Sequence, residues 1–379
     1  MWFYEIMKNN SCGLVWLKKD LRIQDHRPLF ESTQSCQRVI ALYVYEEEWF
    51  RSYEFHPSHL QFLNESRLEL QKKLLTFNIQ LVVKFGDCLE VFHAIKKEFN
   101  FTRVYAHQET GVNWTYKRDL KIINFFKDQS ILFKEYYQFS VIRRLKNRDH
   151  WNLLRQQIIQ RKIIPRPSSI AHLETLSSEN IRTEFIGVEK KINLKKIQRG
   201  GESEAHSVLH SFLYERGEFY LKHISSPFLS EQSGSRISVY LSFGNLTLTQ
   251  VHHALDRARS FHPPQSSWSK SLWAFENRLW WHCHFIHQPS ELEPLLQIEH
   301  QCVIGKDYPH PIVDPKASYS KAKQRIFEFR KSPEVKKLAE AVVKKHASRK
   351  NKSTKNHFPE QNRIQIFGSL IRSDEDGIE

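Results

Sequence analysis

Short apolar segments that alternate with longer helical segments constrain the fold of this chain more than any other feature. The apolar segments are rich in β-branched residues and occupy positions 13–17, 38–45, 79–84 and 103–106. Runs of this kind are typical of strands that are buried on both faces of a sheet. Apolar residues at helical spacing mark the segments between them, 58–76, 88–99 and 116–127. The alternation predicts a doubly wound parallel sheet, in which ligands bind beyond the carboxyl ends of the strands.

The pattern changes after about residue 135. Residues 143–197 are charged and predict a long interdomain connection with one helix near 148–161. Strand signals then disappear, and helical patterns follow at 205–217, 236–243, 248–259 and 268–287. The second half of the chain is therefore expected to be all-α.

Basic charge is concentrated near the C-terminal end. Between Lys316 and His357 there are 14 Lys and Arg against 3 Asp and Glu, in a chain of 379 residues whose net charge is +15. Residues 332–347 have the pattern of an amphipathic helix with a lysine-rich face. The basic block indicates either a surface for nucleic acid or another polyanion, or simply a solvated helix face with a lysine-rich tail.

Composition excludes several classes of protein. The five cysteines are dispersed, which argues against a disulfide framework and against a structural zinc site. No apolar run reaches the roughly 20 residues of a membrane span, and the first residues do not resemble a signal peptide. We expect reduced thiols and a cytoplasmic location, or a nuclear one in a eukaryote, with no membrane partner.

The first strand runs into a charged loop with the sequence Lys-Lys-Asp-Leu-Arg-Ile-Gln-Asp-His at 18–26. Taken alone, this loop is best explained as a structural ion network formed by Asp20, Arg22 and Asp25. The stretch nevertheless resembles the opening of the photolyase/cryptochrome family. Three further stretches resemble that family in the same order along the chain, at 106–119, 135–151 and 235–244. The resemblance implies an N-terminal Rossmann-like α/β domain followed by a helical FAD-binding domain.

The segment 235–244 resembles the flavin-phosphate segment of the family. Ser235 and Ser238 flank an expected helix start, where unpaired backbone N–H groups attract anions, and Arg236 adds charge-assisted bonds. Without the resemblance, a serine that caps a helix explains the same pattern. The resemblance implies that Ser235, Arg236, Ile237 and Ser238 contact FAD and that Tyr220 packs near it.

The helical pattern around 273–287 is rich in aromatic residues and resembles the family helix that covers the flavin pocket. Trp281 lies near the position of a tryptophan that stacks on a pyrimidine dimer, and His282 follows where a basic residue is usual. We therefore expect Trp281 and His282 to bind substrate, whereas core packing is the preferred interpretation for Trp273 and Trp280. The histidines of this helix do not suggest a metal site, because positions 282 and 284 point in different directions.

The resemblance also implies a gap. After residue 290 the chain lacks the family's motifs for the ring side of the flavin, while Tyr308-Pro309-His310-Pro311-Ile312-Val313-Asp314 resembles its closing segment. The resemblance therefore implies that an internal block of the helical domain is missing, and we expect FAD binding to be weak or absent. The domains expected are 11–138 (α/β), 139–204 (linker), 205–300 (partial helical FAD-binding domain) and 301–379 (closing segment, basic helix and tail).

Two functions follow from the resemblance. The first is light-driven electron transfer from reduced FAD to pyrimidine dimers in damaged DNA, with an antenna chromophore (folate or deazaflavin) in the α/β domain and with activity in question. The alternative is a light sensor without repair activity, or a module that binds DNA or a protein partner which covers the incomplete helical domain. A general nucleotide-binding α/β protein fits the N-terminal half alone. The sequence assigns no catalytic residue.

Overall fold

The computed structural model of the chain describes residues 11–52, 55–140, 151–179 and 197–287, and six single positions between 324 and 336. The sheet and the helices between 197 and 287 belong to one compact unit, whereas Leu145–Asn152 and the residues from Pro315 onward form a second unit. The expected closing segment at 307–314 lies outside the described residues. Of the helix expected at 332–347 three positions are described, and there the N–H of Lys336 donates to the carbonyl of Ser332 at 3.0 Å, as in a helix.

Five strands form one sheet in the order β3-β2-β1-β4-β5, and every neighbouring pair is parallel. Their bounds are Cys12–Leu17 (β1), Arg38–Tyr45 (β2), Gln80–Phe85 (β3), Arg103–His107 (β4) and Leu132–Tyr136 (β5). In the register of the central strands, Val15 lies opposite Ala41 on one side and Tyr105 on the other. The predicted doubly wound parallel sheet is confirmed, and β5 is a strand that the sequence analysis did not find.

Five helices accompany the sheet, with the bounds Arg27–Ser35 (α1), Glu47–Arg51 (α2), Pro57–Leu75 (α3), Cys88–Phe99 (α4) and Asn113–Asp128 (α5). The start of α4 shows why a helix begins there. The carboxylate of Asp87 accepts the backbone N–H groups of Leu89 at 2.8 Å and Glu90 at 3.2 Å, which would otherwise lack partners. The three helices expected in this region match α3, α4 and α5, whereas α1 and α2 were not predicted.

Alternate residues of the strands point to opposite faces of the sheet and so supply two apolar cores. One core contains Trp16 and Leu42, and the other contains Val15 and Ala41. In the first core the ring of Phe92 meets Trp16 edge-on, with centroids 5.2 Å apart. Burial on both faces explains why the central strands consist almost entirely of apolar residues.

The second half of the described chain is helical, as expected, and no strand occurs in the described residues between 197 and 287. Its helices are Trp151–Gln160 (α6), Glu202–Ser211 (α7), Tyr220–His223 (α8), Leu229–Ser233 (α9), Ser238–Ser242 (α10), Leu248–Phe261 (α11) and Ser267–His287 (α12). A π-helical turn, Phe212–Arg216, continues α7. None of the described helices is long and apolar enough to cross a membrane.

The connection between α6 and α7 lies partly along the open edge of β3. The backbone N–H of Glu179 donates to the carbonyl of Val83 at 2.8 Å, and the side chain of Gln80 exchanges two hydrogen bonds with the backbone of Leu176 at 2.7 and 3.0 Å. The described part of this segment, 161–179, is therefore held against the sheet.

The loop after β1 joins the sheet to the helices of the second half. Arg22, which is fully buried, donates to the carbonyl of Gly244 at 2.9 Å. The Asn245 side chain donates to the carbonyl of Leu21 at 2.9 Å. The carboxylate of Asp25 accepts hydrogen bonds from Arg161 at 2.5 and 2.9 Å. These contacts provide the structural role that was expected for the charged loop at 18–26.

Candidate functional site

A cavity of about 440 Å³ opens at the carboxyl ends of β1, β2 and β4. The strand order places it at the point where the direction of the connections reverses: β1 connects to β2 on one side, and β3 connects across to β4 on the other side of β1. Doubly wound sheets bind ligands at this point. The cavity is lined by residues that follow the strands, by α5 and by α10; they include Trp16, Lys18, Lys19, Tyr43, Glu46, Trp49, His59, Glu109, Trp114, Arg118, Ser238 and Phe243.

Aromatic side chains form much of the cavity wall. Trp16, Trp49 and Trp114 all line it. The indole Nε1 of Trp114 is buried and has no hydrogen-bond partner among the described residues. A buried donor without a partner is unusual in a folded protein, and an acceptor on a bound molecule would satisfy it. Aromatic walls with a few polar groups are typical of sites for flat ring systems.

Charged residues cluster around Arg118. Its guanidinium contacts the carboxylates of Glu46 and Glu109 and lies 2.8 Å from Asp119. Lys18 approaches the same Asp119 at 2.9 Å. The cavity therefore presents cations and carboxylates side by side, so that it can meet both anionic and N–H groups of a ligand.

Burial and charge act in opposite directions on these carboxyls. Burial raises the pKa of Glu46 to about 7, although the neighbouring Arg118 favours the ionised form. For Asp119 burial also raises the pKa, but Lys18 and Arg118 together outweigh it and leave the value below the usual one. Glu46 is therefore the carboxyl of this cluster whose charge changes near neutral pH.

A second cavity, of about 540 Å³, lies beside the first and shares Glu46, Trp114 and Arg118 with it. It is lined by charged residues of both signs from α2 and α5, among them Arg51 and Lys121. The three shared side chains form the partition between the two spaces.

Asp20, His26 and His107 form a fully buried group whose ligand atoms lie within 4.8 Å of one another. Asp20 Oδ2 lies 2.8 Å from His107 Nδ1 and 3.1 Å from His26 Nε2. However, His26 Nδ1 accepts the backbone N–H of Leu29 at 3.1 Å. Burial lowers the pKa of His26, so the neutral ring carries its single proton on Nε2. That nitrogen lies close to Asp20 without a well-directed hydrogen bond, and because it carries the proton it has no lone pair for a metal ion.

The four residues expected at the flavin phosphates differ in exposure. Ser238 is exposed, begins α10 and lines the cavity; of the four expected residues it alone does so. Ile237 is buried, and Arg236 is exposed with a left-handed backbone (φ 57°). The carbonyl of Ser235 accepts a hydrogen bond from Arg216 at 3.0 Å. The exposed side chains of Arg236 and Ser238 are suited to an anionic group at the surface, whereas Ile237 packs inward.

Tyr220 packs inside the helical part of the molecule. Its ring meets Phe212 and Phe275 edge-on, with centroids 5.4 and 5.9 Å apart. Tyr220 is buried, and this aromatic cluster fixes α8 against α12.

The two expected substrate-binding residues on α12 differ in exposure. Trp281 is 51% exposed, and the guanidinium of Arg278 stacks on it at 4.1 Å. His282 is mostly buried beside Phe139, with ring centroids 5.7 Å apart. The core position preferred for Trp273 is wrong, since that side chain is 57% exposed. Trp280 is half-buried, with Arg155 stacked on its ring at 3.7 Å.

Comparisons with known proteins agree with this architecture. A family model described as DNA photolyase matches residues 13–142. The chain is similar to the photolyase/cryptochrome family. Cryptochrome DASH of Gloeobacter violaceus is 23% identical over 288 residues, which are 70% of this chain and 57% of the relative.

Solved photolyases share the fold. A bacterial class III photolyase from Agrobacterium tumefaciens superposes with a TM-score of 0.62 at 18% identity, over 73% of this chain and 58% of that one. An archaeal photolyase from Sulfolobus tokodaii, described with two FAD molecules, gives a TM-score of 0.51 at 19% identity, over 74% and 60%. The chain thus spans less than two thirds of the length of each of these relatives.

The cavity itself was not predicted from the sequence. A usable signal was present, because the charged residues Lys18 and Glu46 directly follow β1 and β2, and Glu109 comes two residues after the end of β4. Charged side chains at the carboxyl ends of parallel strands meet at one edge of the sheet.

Proposed function

We propose that this photolyase-like protein is a light-absorbing flavoprotein that acts on damaged DNA, and that the cavity at the carboxyl end of its sheet holds an antenna chromophore. The observation that carries the proposal is the tryptophan-walled cavity, in which the indole N–H of Trp114 lacks a partner. Light-driven repair of pyrimidine dimers would use FAD as its electron donor.

The side chains of the cavity have distinct tasks in this proposal. Trp16, Trp49 and Trp114 hold a flat ring by stacking and exclude water from it. The Trp114 N–H donates to a ring oxygen or nitrogen. Lys18 and Arg118 offer charge to an anionic substituent, while Glu46 accepts an N–H of the ring when ionised. A folate and a deazaflavin both combine a planar ring with such groups, so the cavity does not choose between them.

The FAD assignment rests on the family resemblance of the segment Ser235–Ser238. What supports it is that Arg236 and Ser238 present a guanidinium and a hydroxyl at the surface. Buried Tyr220 and the half-exposed Trp281 keep the roles that the resemblance gives them, as the neighbour of the flavin and the base-stacking residue. The archaeal relative described with two FAD molecules also favours two chromophore positions in such a chain.

Reconstitution tests the proposal. Purified full-length protein is mixed separately with FAD, a deazaflavin and a reduced folate, freed of unbound ligand, and examined by visible absorption. We expect a bound chromophore, and we expect Trp114→Phe to weaken its binding about fivefold, as loss of one hydrogen bond of about 1 kcal/mol implies. Trp268→Phe is the matched control, because Trp268 stacks on His262 and does not line the cavity. If no ligand is retained by the wild-type protein, the proposal fails.

The second candidate is a light sensor or binding module without repair activity. The sequence after residue 290 lacks the ring-side motifs of the family. In addition, large apolar side chains are exposed on the described helices; Phe228 is 85% and Phe261 69% exposed. Such exposure favours a protein partner on this part of the molecule. Repair of pyrimidine dimers by the purified chain under blue light would contradict this second candidate.

A further inference from the structure

Arg155 is a buried cation in the middle of α6 that has no anionic partner among the described residues. The side chain is 1% exposed. Its guanidinium stacks on the ring of Trp280 at 3.7 Å, and one terminal nitrogen lies 3.5 Å from His252 Nε2. Its Nε is buried without a hydrogen-bond partner. The guanidinium group therefore places a full positive charge inside the protein.

The two histidines beside this guanidinium do not compensate for it. Burial, and then the charge of Arg155, lower the pKa of both His252 and His282 to about 4, so both rings are neutral at neutral pH. The carboxylate of Glu276 lies 3.9 Å from His252 Nδ1 but is bound by Arg259 at 2.5 Å. The region therefore keeps a net positive charge inside the protein.

His282 provides a second unused polar atom in the same region. Its Nδ1 is buried and has no hydrogen-bond partner in the described part of the chain. His282 lies two residues after Trp280 on α12, so the helix that carries the ring under Arg155 also carries this imidazole. A buried donor on a cation and an unused imidazole nitrogen are the groups that bind an oxyanion.

A water molecule could accept from Arg155 Nε, but it would leave the positive charge uncompensated. Removal of a charge from water is costly unless an opposite charge accompanies it. Stacking on Trp280 fixes the plane of the guanidinium and leaves its edge N–H groups available for a planar or tetrahedral oxyanion. We propose that Arg155 and His282, with His252 beside them, form a binding site for a small oxyanion such as a phosphate or carboxylate group. This site does not depend on the proposed function.

Thermal unfolding of the full chain in phosphate tests the site. Sodium phosphate is titrated against sodium chloride at constant ionic strength and pH. For the wild type we expect the melting temperature to rise with phosphate concentration and then to level off. The rise should reach about 5 °C when phosphate exceeds its Kd a hundredfold. Acetate serves as a second probe, and a saturable rise with either ion supports the site.

Arg155→Met keeps the length of the side chain and removes the charge. Without phosphate we expect this variant to melt at or above the wild-type temperature, since an uncompensated buried charge is gone, and we expect no saturable response to phosphate. Arg257→Met is the control, because Arg257 is an exposed arginine on the neighbouring helix α11. It should respond as the wild type does.

Equilibrium dialysis with radiolabelled phosphate gives a readout that does not depend on stability. We expect one phosphate per chain for the wild type and Arg257→Met, with at least a tenfold weaker affinity for His282→Phe and for Arg155→Met. Absence of saturable stabilisation and binding in the wild type, or an unchanged response in Arg155→Met, would overturn the proposal.

Discussion

Replacement of Asp25 by asparagine tests the junction between the sheet and the helices of the second half. The carboxylate is fully buried and accepts hydrogen bonds from Arg161 (2.5 and 2.9 Å), from the Thr247 hydroxyl (2.6 Å) and from the Ile164 N–H (3.0 Å). Asp25 has a positive φ of 57°, which asparagine tolerates, so the variant changes the charge and not the backbone. Loss of a partner from a buried ion pair costs about 3–5 kcal/mol. Because the Arg161 side chain is 30% exposed, water replaces part of the lost interaction. We therefore expect Asp25→Asn to lower the free energy of unfolding by about 2 kcal/mol.

The assay is urea unfolding followed by circular dichroism, for wild type and Asp25→Asn, at pH 7 and at several lower values. Burial alone would raise the pKa of Asp25, but Arg161 and Arg22 outweigh it and lower the pKa in the folded state. Its stabilising contribution is therefore complete above the unfolded pKa of about 3.9 and is lost as the pH falls through the folded value. Glu31→Gln, which breaks an exposed pair with Arg27, should cost less than about 0.5 kcal/mol. A difference below about 0.5 kcal/mol for Asp25→Asn at pH 7 would refute the reasoning.

Three further outcomes can be measured by the same unfolding assay. Gly244→Ala should destabilise the fold by more than about 2 kcal/mol, because Gly244 has a φ of +68° and a methyl group there would overlap the carbonyl oxygen of Lys19; a neutral effect would contradict this close approach. Burial raises the pKa of Glu46 from 4.5 to about 7. As the pH rises from 4 to 8, the free energy of unfolding of the wild type should therefore fall by up to about 3 kcal/mol relative to that of Glu46→Gln. A difference that is flat with pH would show that Arg118 holds Glu46 ionised throughout. Phe92→Ala should cost about 3–5 kcal/mol because Phe92 is fully buried, and a loss below about 1 kcal/mol would mean that the core refills the space.

Much of the sheet could be predicted because its central strands are apolar on both faces. The expected segment 38–45 coincides with β2. The expected 13–17 and 103–106 are each one residue shorter than β1 and β4, and 79–84 is shifted by one residue relative to β3. β5 escaped prediction because it is an edge strand. Its residues are only partly buried, and Leu132 is 49% exposed, so neither a continuous apolar run nor a strong alternation marks it.

The cavity could be predicted only in outline. The rule that ligands bind beyond the carboxyl ends of strands gave the correct edge of the sheet. It did not give the pairing of Glu46 with Arg118, which joins residues far apart in the chain. The acidic triplet Glu46–Glu48 has the pattern of an exposed loop or a helix start, and α2 does begin there; tertiary contacts nevertheless half-bury Glu46, and burial raises its pKa. Contacts of this kind depend on how helices pack across the sheet, which local sequence patterns do not encode.

The segment 161–179 has a consequence for solubility. An open outer strand presents unpaired N–H and carbonyl groups that can recruit strands from other molecules. In β3 the carbonyl of Val83 accepts the backbone N–H of Glu179, and the N–H of Val83 donates to the Ser178 hydroxyl, so these groups are occupied on one side of the sheet. A shortened connection would uncover this strand, and the protein would then be prone to associate with itself through its backbone, even with every side chain of the sheet unchanged.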